Sequence, residues 1–276
     1  MSAPSAGIVD AFVNVNLANL PRPPWLDQVA DHYFKGSGDI FRNLSLAELL
    51  DTMDELGVRV AVLTNNCEQI DEHVLSFVEA RPDRFVLSAY VNPRNGMEAV
   101  RALESFATQY PVVLMRITPF MIDLPPNDRE YYPIYAKCVE LGLPVSILTG
   151  MPGPGVYARW QDPKLLDDVC VFFPELAVVM AHGADPWWPD AVRLMIKNPN
   201  LFMMTSAWAP SRLPAVLIEY LNARGQDRIM YASDHPIVSM RRCVDEALQL
   251  ELREGVPERY LGSNAMAILR IASKLA

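Results

Sequence analysis

A single α/β domain folded as a (β/α)8 TIM barrel is the architecture this sequence predicts, and three observations carry the prediction. Eight short apolar runs recur at fairly even intervals over 276 residues. Between them lie stretches with helical spacing and polar faces. No glycine fingerprint such as GxGxxG or GxxxxGK follows any run, which removes the main reason to prefer a nucleotide-binding open sheet. The runs are apolar on nearly every residue, as strands of a parallel sheet covered on both faces should be. With no linker, no low-complexity segment and no repeat beyond the βα period, one domain over residues 1–276 is expected.

The first run is "IVDAFVNVN", Ile8 to Asn16. Strand alternation puts Phe12, Asn14 and Asn16 on one face and Ala11, Val13 and Val15 on the other. The stretch "LSLAELLDTMDELG" then reads as a helix, because Leu46, Leu49, Leu50 and Met53 repeat at three and four and Gly57 supplies a stop. The remaining strands are "VRVAVLT", "RFVLSAYV", "PVVLMRI", "LPVSILTG", "LAVVMAHG", "NLFMMTSA" and "RIMYASD". Several intervening helices end in Gly or in a Pro-containing turn, as in "ELGV", "ARPDRF", "ELGLP" and "FFPEL". Two long connections, residues 17–44 and 150–161, leave strand C-termini, the end of a barrel where the active-site mouth lies. Their Trp25, Tyr33, Phe34, Tyr157 and Trp160 are placed either to cover a small substrate or to pack the rim.

Composition narrows the classes of partner. The net charge is −9 and no basic run concentrates positive charge, which argues against nucleic acid or an anionic membrane surface. No run approaches the ~18 apolar residues of a membrane helix. The opening "MSAPSAG" lacks the basic region and apolar core of a secretory signal, so a soluble cytoplasmic protein is expected. Cys67, Cys138, Cys170 and Cys243 are scattered without zinc spacing and read as buried free thiols.

Polar residues at the ends of apolar strands are the sharpest chemical signal, since burying each without a partner would cost about 1–3 kcal/mol. They are Asn14, Asn16, Thr64, Asn65, Tyr90, Asn92, Arg116, Thr149, His182, Thr205, Ser206, Asp234 and His235. Asp234, in "YASDHP", is placed as a general base or metal ligand, and His182 ends the sixth strand; both should point into one cavity. Arg116 needs an anion, either a substrate carboxylate or an internal Asp or Glu. Asp234 and His182 are the catalytic candidates. Asn14, Asn16, Asn65, Tyr90, Arg116, Thr149, Trp160 and Ser206 are the substrate-binding candidates. By alternation His235 should point away from the cavity, while His32 and His73 read as surface residues. The pair Trp187 and Trp188 in "DPWWPD" fits a pocket wall, a subunit contact or packing equally well.

The elements "RIMYASDHP", "VVMAHGADPWW", "GLPVSILTG" and "GSNAMAILRI", in this order along the chain, resemble the amidohydrolase-related family. That branch of the amidohydrolase superfamily includes aminocarboxymuconate-semialdehyde decarboxylase and related small-acid decarboxylases and hydrolases. The resemblance implies a divalent metal, usually zinc, held by an HxH pair ending the first strand, a His ending the fifth and an Asp ending the eighth, with a further His on the sixth. By position the HxH pair falls on Phe12 and Asn14, the fifth-strand His at or next to Leu148, the sixth-strand His on His182 and the Asp on Asp234. Three of the imidazoles are therefore replaced, and Phe and Leu supply no ligand atom. No tightly held cofactor is expected; a metal, if bound, would be a weakly held hard cation on Asp234, His182 and Asn14.

The expected activity is hydrolysis of a small carboxylate-bearing lactone or ester, with Asp234 activating water and His182 polarising the substrate. The alternatives are decarboxylation of a small unsaturated or aromatic acid, and a non-catalytic binding role on a retained fold. A small organic acid is the expected partner. Relatedness to dimeric barrels implies a homo-oligomer, with a dimer as the simplest form.

Overall fold

A computed structural model describes residues 7–20, 41–153 and 155–275. Eight parallel strands follow one another around a barrel in chain order: β1 (Ile8–Val13), β2 (Val58–Asn66), β3 (Phe85–Tyr90), β4 (Val112–Ile117), β5 (Val145–Leu148), β6 (Val178–Ala181), β7 (Leu201–Met204) and β8 (Ile229–Met230). The seam between the last strand and the first closes just beyond β8. Asn14 N–H donates to the His235 carbonyl at 2.7 Å, Asp234 N–H to the Phe12 carbonyl at 2.9 Å, and Val13 and His235 form a parallel bridge.

One main helix follows each strand: α1 (Leu46–Leu56), α2 (Glu72–Ala80), α3 (Met97–Gln109), α4 (Tyr132–Leu141), α5 (Leu166–Phe172), α6 (Trp188–Lys197), α7 (Ala215–Leu221) and α8 (Met240–Ala247). Helix α1 shows how local chemistry sets the bounds. Ser45 and Glu48 form a reciprocal capping box at its start, and Gly57 ends it in the left-handed region at φ 70°.

Alternation along the strands divides the apolar residues into two concentric layers. Val58, Leu63, Ala89, Met115 and Met180 pack outward against the helices, whereas Val60, Val62, Val86, Leu114, Val179, Met204 and Met230 fill the barrel. Ala265, Leu269 and Ile271 from the C-terminal segment join the inner layer. The four cysteines are free and buried, as expected.

Strand β1 departs from the simple alternation. Asp10 aligns with Ala61 but Val13 with Leu63, so β1 advances three residues while β2 advances two. This one-residue bulge places Ala11 with Phe12 in the inner layer rather than with Val13 and Val15. Asp10 stabilises the bulge: its Oδ1 accepts Phe12 N–H at 3.2 Å and Ser233 N–H at 2.9 Å, and its Oδ2 accepts the Ser233 hydroxyl at 2.5 Å. The carboxyl is fully buried, and desolvation raises its pKa to about 6 against the lowering effect of those bonds.

His73 is also placed differently from the surface reading. Its Nε2 lies 3.0 Å from the Leu44 carbonyl and its ring packs edge-on against Phe77, because the helix turn that starts at Asp71 faces the β1 connection. His32, Trp25, Tyr33 and Phe34 lie outside the described residues. Among the described residues no helix is long and apolar enough to cross a membrane.

Candidate functional site

Arg116 and His182 flank the Phe12 ring at the C-terminal end of the barrel, with Ser206 bonded to His182, Asn14 bonded to Asp234, and Asp234 facing His182. Asp234 lies in the left-handed region, φ 68°, and its backbone is held by the bond to the Phe12 carbonyl. Asn14 Nδ2 donates to Asp234 Oδ1 at 2.8 Å, which leaves Oδ2 facing His182 Nε2 across 3.9 Å. That gap is too long for a direct hydrogen bond. Burial raises the Asp234 pKa to about 7, opposed by the Asn14 bond and the Arg116 charge. Near neutrality the carboxyl can therefore either give or take a proton.

His182 reaches the cavity by a backbone turn. Val179 and Ala181 face inward and Met180 outward, so strict alternation would send His182 outward. Its φ of 65° reverses that direction and brings the imidazole to 4.9 Å from the Phe12 ring. Ser206 Oγ accepts His182 N–H at 3.1 Å and lies 2.7 Å from Nδ1, while Trp208 Nε1 donates to the His182 carbonyl at 2.8 Å. Burial, reinforced by Arg116, pushes the imidazole pKa down to about 3, so the ring is neutral at physiological pH.

Gly183 follows at φ 68°, where an added Cβ would meet the Trp188 ring at 2.1 Å. Trp188 is buried and packs edge-on against Trp208 at 5.4 Å. Of the three roles open to the tryptophan pair, Trp188 takes packing, as the wall behind the β6 turn.

Arg116 is 4% exposed, and its guanidinium carbon stands 3.2 Å above the Phe12 ring centroid. Its Nε and Nη2 have no hydrogen-bond partner. Desolvation lowers its pKa to about 9, with Asp234 opposing, so it remains a cation at neutral pH. A buried cation with unfilled donors is costly by itself, and the arrangement can accept an anion with two N–H groups at once. Tyr90 is aligned with Arg116 across the β3–β4 ladder and so shares its inward face, and burial raises its phenol pKa.

The other sequence candidates have different surroundings. Asn16 Nδ2 donates to Asp71 Oδ2 at 2.8 Å. Asn65 aligns with Ala89 on the outward face of β2 and exchanges two bonds with the Asp71 backbone, so both asparagines brace the start of α2 rather than the cavity. Thr149 Oγ1 donates to the Gly183 carbonyl at 2.6 Å, supporting the turn after His182. Trp160 Nε1 donates to Asp123 Oδ1 at 2.8 Å beside the Arg159–Asp123 pair, which joins the β4 and β5 connections. Thr64 bonds Ser88 at 3.0 Å and Thr205 bonds Tyr260 at 2.7 Å. His235 turns away, as alternation required, and its Nδ1 accepts Met240 N–H at 3.3 Å. Asp10 and Ser233 were not among the sequence candidates, although a carboxylate inside the apolar run "IVDAFV" was a visible signal.

The described residues do not fit zinc. Among the described residues no group of three or more His, Cys, Asp or Glu side chains is placed to hold a metal ion. Asn14 offers an amide, His182 already uses Nδ1, Phe12 and Leu148 offer nothing, and the Arg116 cation over Phe12 repels a second positive charge.

A family model described as Amidohydrolase matches residues 19–271. No curated protein matches the chain. Among solved structures, 5-carboxyvanillate decarboxylase from Sphingomonas paucimobilis superposes with a TM-score of 0.74 at 19% identity, over 96% of this chain and 99% of that one. A dihydroxybenzoic acid decarboxylase from Polaromonas, solved with manganese and the inhibitor 2-nitroresorcinol, gives 0.71 at 14% identity, over 96% and 97%. A 4-oxalomesaconate hydratase from Rhodopseudomonas palustris gives 0.62 at 17% identity, over 96% of both chains. At these identities the likeness to solved structures is one of fold.

Proposed function

The chain belongs to the amidohydrolase family matched over residues 19–271, and from that premise we propose that it decarboxylates a small unsaturated or aromatic acid. The observation that carries this reading is the buried Arg116 guanidinium, with two unfilled donors, in the same cavity as a carboxyl whose pKa is near neutral. The presence of aromatic-acid decarboxylases among the structural neighbours supports it over the hydrolysis that the sequence put first.

In this reading protonated Asp234 delivers its proton to the carbon that bears the departing carboxylate. The bond from that carbon to the carboxylate breaks, its electron pair restores the unsaturated system, and carbon dioxide leaves. Water then reprotonates Asp234. Because the departing carboxylate loses its charge, a cation bound to it would stabilise reactant more than transition state. Arg116 is therefore assigned to a second acidic group that does not react, a phenolate or another carboxylate. Phe12 supplies a flat apolar surface, Asn14 orients Asp234, His182 donates to a substrate oxygen, and Tyr90 lines the pocket. No step is routed through a metal, since the described residues do not fit zinc.

Chelator-treated protein offered hydroxy- and carboxy-substituted benzoates labelled in the carboxyl group is expected to release labelled carbon dioxide. Release that appears only with added manganese, or no release from any such acid, would overturn the reading. Lactone or ester hydrolysis is the second reading, favoured by the free Asp234 Oδ2 and the 3.9 Å gap to His182, which one water can bridge to both. Tight acid binding with neither turnover would mark a pseudo-enzyme. A homodimer and a cytoplasmic location belong to the same proposal; light scattering tests the assembly.

A further inference from the structure

We infer that Ser206 is a positioning residue that fixes the tautomer of His182, keeping the imidazole proton on Nε2. The ring then presents an N–H to the cavity and has no lone pair there with which to act as a base.

The assignment follows from counting protons and lone pairs on one buried hydroxyl. A serine hydroxyl has one proton to donate and two lone pairs to accept with. Ser206 is fully buried, and its Oγ accepts the backbone N–H of His182 at 3.1 Å. Among the described residues the remaining partner for Oγ is His182 Nδ1, at 2.7 Å. If Nδ1 carried the proton, Oγ would accept two N–H groups and its own proton would be buried with nothing to receive it. The hydroxyl proton therefore goes to Nδ1, and the proton of the neutral ring resides on Nε2.

Because both bonds from Ser206 go to one residue, they tie the left-handed backbone of His182 to the orientation of its ring. Nε2–H is thereby aimed at the space it shares with Asp234 Oδ2, 3.9 Å away. The two catalytic candidates thus have separate tasks. His182 donates a hydrogen bond to a substrate oxygen, and proton transfer falls to Asp234.

The tautomer is independent of which acid the pocket takes and of whether carbon dioxide is lost, so it can fail while the decarboxylase reading stands. The test is a long-range 1H–15N correlation spectrum of the labelled full-length chain at neutral pH. The four histidines are separated by the signals that disappear in His182→Gln. We expect a pyridine-like Nδ1 and a pyrrole-like Nε2 for His182, with Ser206→Thr retaining this pattern and Ser206→Ala shifting both signals toward a mixture of tautomers. A pyrrole-like Nδ1 in the unmodified protein, or an unchanged His182 pattern in Ser206→Ala, would overturn the inference. If Ser206→Ala does not fold, the unmodified protein and the threonine variant decide it between them.

Discussion

Arg116 and Asp234 carry most of the chemical expectation at the scale of single residues. Replacing Arg116 by Met removes a pair of charge-assisted hydrogen bonds worth about 1.5–3 kcal/mol, so benzoate binding should weaken roughly 10- to 100-fold by calorimetry on chelator-treated protein. Lys in its place should recover only part of the affinity, because an ammonium lacks the planar fork. Asp234→Asn should lower turnover by about 10²–10⁴-fold. The pH profile then separates the two reactions. With a pKa of about 7, Asp234 as proton donor gives a rate that falls as pH rises above about 7. As the base for lactone hydrolysis, it gives a rate that falls as pH drops below that value.

Element ends, rather than element interiors, set the geometry of the site. His182, Ala207 and Asp234 all adopt positive φ just beyond β6, β7 and β8. Such non-glycine residues cost about 1–3 kcal/mol each and need support from their surroundings. The support is visible as bonds from their N–H groups to Ser206 Oγ, the Ser233 carbonyl and the Phe12 carbonyl. Gly183→Ala should fail at this level, since its Cβ would press on the Trp188 ring; a loss of about 1–3 kcal/mol in urea unfolding is expected, with weakened acid binding.

Asp10 belongs to the β1–β8 seam and has a pH signature of its own. Its folded pKa, about 6, lies above the ordinary value of 3.8, so its contribution to stability is fully present below about pH 4 and is lost as pH rises through 6. Asp10→Asn cannot ionise. The drop in melting temperature between pH 5 and pH 8 should therefore be smaller in that variant than in the unmodified protein.

At the scale of the whole molecule, two apolar layers around a closed parallel sheet hold the fold, and among the described residues no group of three or more His, Cys, Asp or Glu is placed to hold a metal ion. Treatment with a chelator followed by dialysis should leave the thermal unfolding midpoint unchanged. A clear fall, reversed by manganese or zinc, would show that a metal is part of the folded state.

Much of this was legible from pattern. The eight runs became eight strands because a doubly covered parallel sheet demands apolar residues on both faces, and that demand is written directly in residue type. Asp234, His182 and Arg116 stood out because a charged or titratable group ending such a run must meet a partner or a ligand. Asn65 shows the limit: beside Thr64 it looked equally placed, but neighbours on a strand face opposite ways, and Thr64 took the inside. The β1 bulge and Asp10 show another, since a one-residue register shift leaves no mark in composition.

By itself, then, the sequence determined the barrel and the polar residues that end its strands at the mouth, because each depends on local residue type and order. Only the tertiary structure decided which polar ends meet. That depended on three things no periodicity encodes: the left-handed turn at His182, the Ser206 hydroxyl that reaches its ring from the next strand, and the stacking of Arg116 on Phe12. The last two are contacts between residues distant in the chain, and their geometry is set by the closure of the barrel.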